Sequence, residues 1–173
     1  MTFANDFYLY YIKEIISPYY RCNILFPSID MPFFKCNSTL HAFELSKVLF
    51  FQNYSKLDYA ANIKLFKDCL KVGYDVQNFD KTKWDNVKFD IMYNIEYQKY
   101  MQNENLREEL ISSKYDNIEF VYANPLDSYW GIGLGEYTNA ALNKSQWEGL
   151  NMHNEILQKV RTNIIDYYSK GAN

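Results

Sequence analysis

The chain has 173 residues, 48% of them apolar and 23% charged, which allows a sizeable core and excludes an intrinsically disordered chain. A net charge of −3 excludes an overall basic field for nucleic acid, leaving only a local basic patch open. Three cysteines (Cys22, Cys36, Cys69) with no CxxC pair, and two histidines far apart in sequence (His41, His153), argue against a disulfide framework and a structural zinc site.

Residues 1–6 lack the basic and apolar regions of a secretory leader, and no apolar run nears membrane-spanning length. The expectation is a soluble, cytoplasmic protein without membrane association. Residues 7–16 are β-branched and aromatic and read as a strand or a buried helical turn. Pro18 ends them, because the residue before a proline avoids the helical region. Residues 19–37, with Pro27 and Pro32, read as short strands and turns. Ser38 is the expected N-cap of a helix over 39–53. Leu40, Phe43, Leu45, Val48 and Phe50 cover so much of its surface that it should be central and mostly buried. Glu44 and Lys47, three residues apart, are then either a solvated pair or a buried polar cluster.

A second helix is expected over 58–72, striped by Ala61, Leu65, Cys69 and Val72 and stopped by Gly73. Asp80 caps a third over 81–102, with Trp84, Val87, Ile91 and Ile95 as its inward stripe. A fourth, over 104–112, has Leu106 and Leu110 one turn apart. Residues 118–123 alternate like a strand, and 136–150 are polar and broken. A last helix over 152–168 turns Ile156, Leu157, Val160, Ile164 and Ile165 inward, with Gly171 at its frayed end. The whole reads as a mainly α chain with a few short strands, a single domain over residues 1–173.

Between the strand and the last helix lies Asn124-Pro125-Leu126-Asp127-Ser128-Tyr129-Trp130-Gly131-Ile132-Gly133-Leu134-Gly135. It holds three of the six glycines together with an acid and a tryptophan, a combination suited either to a connector that plugs the core or to a ligand loop.

Five segments form an ordered set. They are Ser38-Thr39-Leu40-His41-Ala42-Phe43-Glu44 with Lys47, and Trp84-Asp85-Asn86-Val87-Lys88 with Met92. Lys99-Tyr100-Met101-Gln102-Asn103, Asp127-Ser128-Tyr129-Trp130-Gly131-Ile132-Gly133, and Asn151 with Leu157 and Arg161 complete it. In order and spacing the set resembles the NADAR, or YbiA-like, family, whose pattern runs SxEHxxQxxK, WDxxKxxxM, KFxQNxxL, DxxWGxG and NxLGxxLMxxR. The resemblance implies a mainly helical fold and an N-glycosidase that hydrolyses the bond between ribose C1′ and a nitrogen. It implies a small-molecule, nucleotide-like substrate: a phosphorylated ribosylamino-pyrimidine of riboflavin biosynthesis, or ADP-ribose on guanine, with nucleic acid a partner only as modified substrate. No metal and no cofactor are expected, and the sequence leaves the oligomeric state open.

By motif position Asp127, Trp130, Gly131 and Gly133 line the site, with Trp84 as an aromatic wall; Asp127 and Glu44 are the candidate catalytic carboxylates, and Trp84, Trp130, Gly131, Gly133, Asn151, Lys47, His41 and Lys88 the candidate substrate-binding set. The carboxylates would stabilise charge developing on the ribose and activate water, and the glycine loop would offer backbone N–H groups to phosphate. Lys47, Lys88, Lys99 and Arg161 are candidates for phosphate or for structural pairs, with pairing favoured for Arg161; Asn151 either binds ribose or ties down a loop. The chain departs from the pattern at one decisive place: Leu40 stands where the family has its main catalytic glutamate, and Glu44 where it has glutamine. Glu44 lies one turn on, on the same helical face. The acid has either moved to Glu44, or catalysis is lost and the protein binds or sequesters its nucleotide-like ligand. His153 stands where the family has leucine.

Overall fold

The computed structural model describes residues 8–171 apart from 12–13 and 29–30, so parts of the expected 7–16 element, and the leader-like question at 1–6, lie outside the described residues. The elements run β1 (Tyr8–Tyr11), β2 (Ile24–Ser28), β3 (Met31–Cys36), α1 (Thr39–Phe50), α2 (Leu57–Ala61), α3 (Phe66–Tyr74), α4 (Lys81–Gln102), α5 (Glu104–Ile111), β4 (Glu119–Tyr122) and α6 (Met152–Lys170). The mainly α reading with short strands therefore holds. The chain divides into two compact units, one of Pro18–Glu104 and one of Met1–Ser17 with Asn105–Asn173. Among the described residues no helix is long and apolar enough to cross a membrane.

In the unit Pro18–Glu104, α1 is the hub. Ser38 is extended and its hydroxyl accepts from the His41 N–H, as a helix N-cap should. Residues Thr39 to Ser46 are all buried, with α2, α3 and α4 packed around the helix. The β2–β3 hairpin pairs Ile24 with Cys36 and Phe26 with Phe34.

The single helix expected over 58–72 is two. The backbone leaves the helix at Asn62 and resumes at Phe66. The carbonyls at the break take side-chain donors from earlier in the chain: Asn37 Nδ2 donates to Ile63 O at 2.9 Å, and the Arg21 guanidinium to Lys64 O at 2.9 Å. These two carbonyls, left outside the helical ladder by the break, are thus paired. Gly73 is not the stop either. It sits inside α3, which runs one residue further, to Tyr74.

α4 starts where expected, with Asp80 Oδ1 accepting from Lys83 N at 3.0 Å. Its buried face differs from the expected stripe: Val87 and Ile91 are half-buried, while Met92, Glu96, Lys99 and Tyr100 are buried beside Trp84 and Ile95. The charged members hide the period, and they are tolerated because Lys99 pairs with Glu96 at 3.3 Å. At its end Gln102 bonds both ways to Leu25, accepting from its N–H at 2.7 Å and donating to its carbonyl at 2.9 Å. Asn103 donates to Asn23 O, so this motif pair clamps β2.

In the other unit β1 and β4 pair in parallel, Tyr11 opposite Tyr122. A two-stranded sheet leaves β4 a free edge of backbone polar groups, and α6 covers it with amides. Asn151 Oδ1 accepts from Tyr122 N at 3.0 Å and its Nδ2 donates to Phe120 O at 2.9 Å. Asn154 Oδ1 accepts from Phe120 N at 3.0 Å, and Gln158 Nε2 donates to Ile118 O at 2.8 Å. Residues 151, 154 and 158 share one helical face, so α6 stands in for a missing strand while Ile156, Leu157, Val160 and Ile164 fill the core. Ile165 is only half-buried.

Candidate active site

On α1, Glu44 and Lys47 form the buried alternative. Lys47 Nζ donates to Glu44 Oε2 at 2.8 Å, with the two side chains 14% and 9% exposed. The ammonium also lies over aromatic faces, 5.5 Å from the Trp84 ring centre and 5.9 Å from that of Phe43. Trp84 itself is buried among Phe43, Phe50 and Phe51. Burial raises the Glu44 carboxyl above the usual range, and the Lys47 charge and hydrogen bond pull it back down. Among the described residues Glu44 Oε1 accepts no hydrogen bond, so one oxygen is anchored and one is free to meet a water or a ligand. Leu40 is buried one turn earlier.

His41 is buried with both ring nitrogens engaged. Nδ1 accepts from Asn37 N at 3.3 Å, which puts the proton on Nε2, 2.7 Å from Ala60 O. Burial lowers its pKa below 6.5, against the smaller raising effect of the Ala60 bond, so the ring is neutral and ties α1 to α2. The folded-state pKa being depressed, the stability this histidine contributes is full above 6.5 and is lost as pH falls below it. The urea midpoint of the wild type is therefore expected to fall more between pH 7 and pH 5 than that of His41→Gln; parallel losses would refute the assignment. Lys88 is held at 2.5 Å by Asp85, which also bonds Lys81; those two lysine bonds, Lys81 first, keep Asp85 below its usual range.

In the other unit, the 124–135 loop is a cap for α6. The carbonyls of Ser128, Tyr129, Trp130 and Gly131 accept from the N–H groups of Leu150, Met152, His153 and Asn151 at 2.9 to 3.1 Å. Asp127 Oδ1 accepts from Tyr129 N at 3.1 Å and from Trp130 N at 2.8 Å, and the N–H groups of Ile132 and Gly133 bond to Tyr122 O and Asp127 O. These four N–H donors, and those at the start of α6, are thus bonded within the protein and not offered to phosphate. The glycines permit close backbone crossing. A Cβ on Gly131 would stand 2.6 Å from Tyr122 O, Gly133 adopts φ +69°, and Gly149 passes so near Gly131 that a Cβ would stand 2.3 Å from its carbonyl oxygen. The Trp130 indole is half-buried, edge-on to Tyr129 with ring centres 4.7 Å apart. Asp127 Oδ2 accepts no hydrogen bond among the described residues.

Other candidates have structural partners. Asn151 is buried in the left-handed region at φ 52° with its amide on β4. His153 Nδ1 bonds the Tyr11 hydroxyl in the core. Arg161 donates to Leu110 O and Ser112 O and pairs with Asp116, as favoured. Two open grooves of about 370 and 530 Å³ border Arg161, and neither is lined by Asp127 or Trp130. Burial pushes the thiols up, Cys22 to about 11 and Cys36 and Cys69 to about 12, so all three are poor nucleophiles at neutral pH. Among the described residues no three His, Cys, Asp or Glu side chains gather to hold a metal ion.

The fold defines a mainly helical protein whose one unit sets a Glu44–Lys47 pair of α1 against Trp84 of α4, and whose other unit closes a glycine loop onto the last helix. The chain belongs to the NADAR domain family, whose pattern residues 9–165 match. The N-glycosidase R617 of Acanthamoeba polyphaga mimivirus is 36% identical over 90 residues, which are 52% of this chain and 52% of that protein. Protein irg-1 of Caenorhabditis elegans is 32% identical over 81 residues, 47% of this chain and 37% of that protein. The matched stretches thus span about half or less of the length of these curated relatives. The NMR structure of the Escherichia coli protein YbiA shares the fold, with a TM-score of 0.72 over 96% of this chain and 89% of that one, at 17% identity.

Proposed function

We propose that this protein is an N-glycosidase acting on the ribose–nitrogen bond of a phosphorylated ribosylamino-pyrimidine or a guanine-linked ADP-ribosyl group, with Glu44 as its working carboxylate. The observation that carries the reading is the buried Glu44–Lys47 pair beside Trp84 in a chain of the NADAR family. In the reaction a water oxygen bonds to C1′ as the C1′–N bond breaks. The bonding pair leaves with nitrogen, which takes up a proton, and the water loses one. Glu44 would accept the proton from water and offset positive charge on the ribose ring. Residues 9–165 cross both compact units, which supports the chain working as one NADAR domain. Three free cysteines suit a reducing compartment such as the cytoplasm.

Purified protein incubated with each substrate class should release ribose 5-phosphate or ADP-ribose, read by mass spectrometry. Asp127 carries its own test. Asp127→Asn keeps an oxygen for the Tyr129 and Trp130 N–H groups, whereas Asp127→Ala loses it. If the charge of Asp127 takes part, Asp127→Asn should lose at least about 100-fold in kcat with an unchanged melting temperature. If Asp127 only shapes the loop, Asp127→Asn should be active and Asp127→Ala destabilised by about 1–2 kcal/mol.

A second reading is favoured by Leu40, buried at the family's acid position. On that reading the protein binds the nucleotide-like ligand without cutting it. Calorimetric binding of ADP-ribose with no release of ribose 5-phosphate or ADP-ribose from any substrate would favour it, and turnover by the wild type would remove it.

A further inference from the structure

Gly73 is the last residue but one of α3, inside the helix and not past its end where a helix-stopping glycine stands. Its surroundings explain it. A Cβ there would stand 1.6 Å from Glu44 Oε2, 2.5 Å from Glu44 Cδ and 3.0 Å from Lys47 Nζ. The missing side chain is therefore the space in which the Glu44 carboxylate meets Lys47. Resting on the reading of Glu44 as the working acid, we propose that Gly73 and Lys47 are positioning residues for it. Gly73 supplies a slot that admits Oε2, and Lys47 anchors the oxygen within that slot so that Oε1 is presented in one orientation.

The surroundings have the chemistry for this. The titratable groups about the carboxylate are Lys47 on its own helix and Cys69 on α3, whose thiol the neighbouring Glu44 helps to keep protonated. On the α2 side His41 is neutral and occupied by Ala60, and on the α4 side Trp84 covers Lys47. Lys47 is thus the one cation seen beside Glu44 among the described residues. The slot holds the far end of a flexible side chain, so filling it should displace the carboxylate and leave the backbone in place.

The test reads the Glu44 carboxyl itself by carbon-13 NMR titration, assigned by loss of its signal in Glu44→Gln. In a Gly73 background, Lys47→Met should move the Glu44 titration further up, because the cation that lowers it is gone. In a Gly73→Ala background the same change should move it little, because the carboxylate no longer sits against Nζ. That non-additivity is the signature of positioning. Equal shifts in both backgrounds would overturn the proposal. On the same proteins Gly73→Ala should lower kcat by about 100-fold with KM nearly unchanged, as expected for a displaced reacting group, and without a lower melting temperature. Unaltered turnover in Gly73→Ala would likewise overturn it. Coupled titrations with no cleavage by the wild type would sink the glycosidase reading and leave the positioning intact. Cleavage with uncoupled titrations would do the reverse.

Discussion

Glu44→Gln is expected to lower kcat for ribose–nitrogen cleavage by about 100- to 10,000-fold, the usual worth of a positioned acid–base group. Glutamine keeps the size of the side chain and an oxygen for Lys47, so KM and the fold should be nearly unchanged and the loss should report the carboxylate. Burial raises the Glu44 carboxyl, so as a base it should lose activity with falling pH above the usual glutamate range. The stability sign runs the other way. For a carboxyl raised in the folded state, the contribution to stability is full at low pH and is lost as pH rises through the folded value. Urea unfolding should therefore show Glu44→Gln gaining on the wild type at pH 8 and matching it at pH 4. A carboxylate that works while ionised in a buried place trades stability for function. The swap Leu40→Glu with Glu44→Gln restores the pattern SxEHxxQ. If the acid has simply moved one turn along α1, the swapped protein should keep turnover within about 100-fold of the wild type. If the wild type cuts nothing and the swapped protein does, the chain is a binder that lost its acid at residue 40.

Asn151→Ala is expected to cost roughly 2–6 kcal/mol in urea unfolding, with a buried N–H of Tyr122 and a buried carbonyl of Phe120 left unpaired at about 1–3 kcal/mol each. The left-handed backbone at φ 52° adds to this, since asparagine tolerates it better than alanine. Asn151→Asp should fall between, keeping the acceptor for Tyr122 and losing the donor for Phe120. A residue that served only to touch ribose would change stability by less than about 0.5 kcal/mol when cut to alanine. The two outcomes are far enough apart for one denaturation series to assign Asn151.

These results divide the motif set. Gln102, Asn103, Asn151 and Arg161 are bonded to backbone carbonyls or N–H groups of neighbouring elements. A strictly spaced polar residue of this kind looks like a ligand contact in sequence, because both need a fixed donor or acceptor at a fixed place. The Glu44–Lys47–Trp84 cluster differs in keeping a carboxylate oxygen that accepts no hydrogen bond among the described residues.

From sequence alone, local chemistry was enough for the helix starts and the central helix. Ser38 and Asp80 cap where they stand because their side chains reach an N–H three residues on, and α1 had to be buried because apolar residues surround it. The order of motifs was likewise sufficient for the family. Tertiary structure alone decided the break at residues 62–65, since its carbonyls are bonded by Asn37 and Arg21 from a distant stretch. It also decided the charged inner face of α4, where pairing makes burial of Lys99 tolerable, and the closing of the glycine loop onto α6. Gly73 shows the physical reason most plainly: in sequence it is a helix stop, and only the packing of α1 against α3 turns its missing side chain into room for the Glu44 carboxylate.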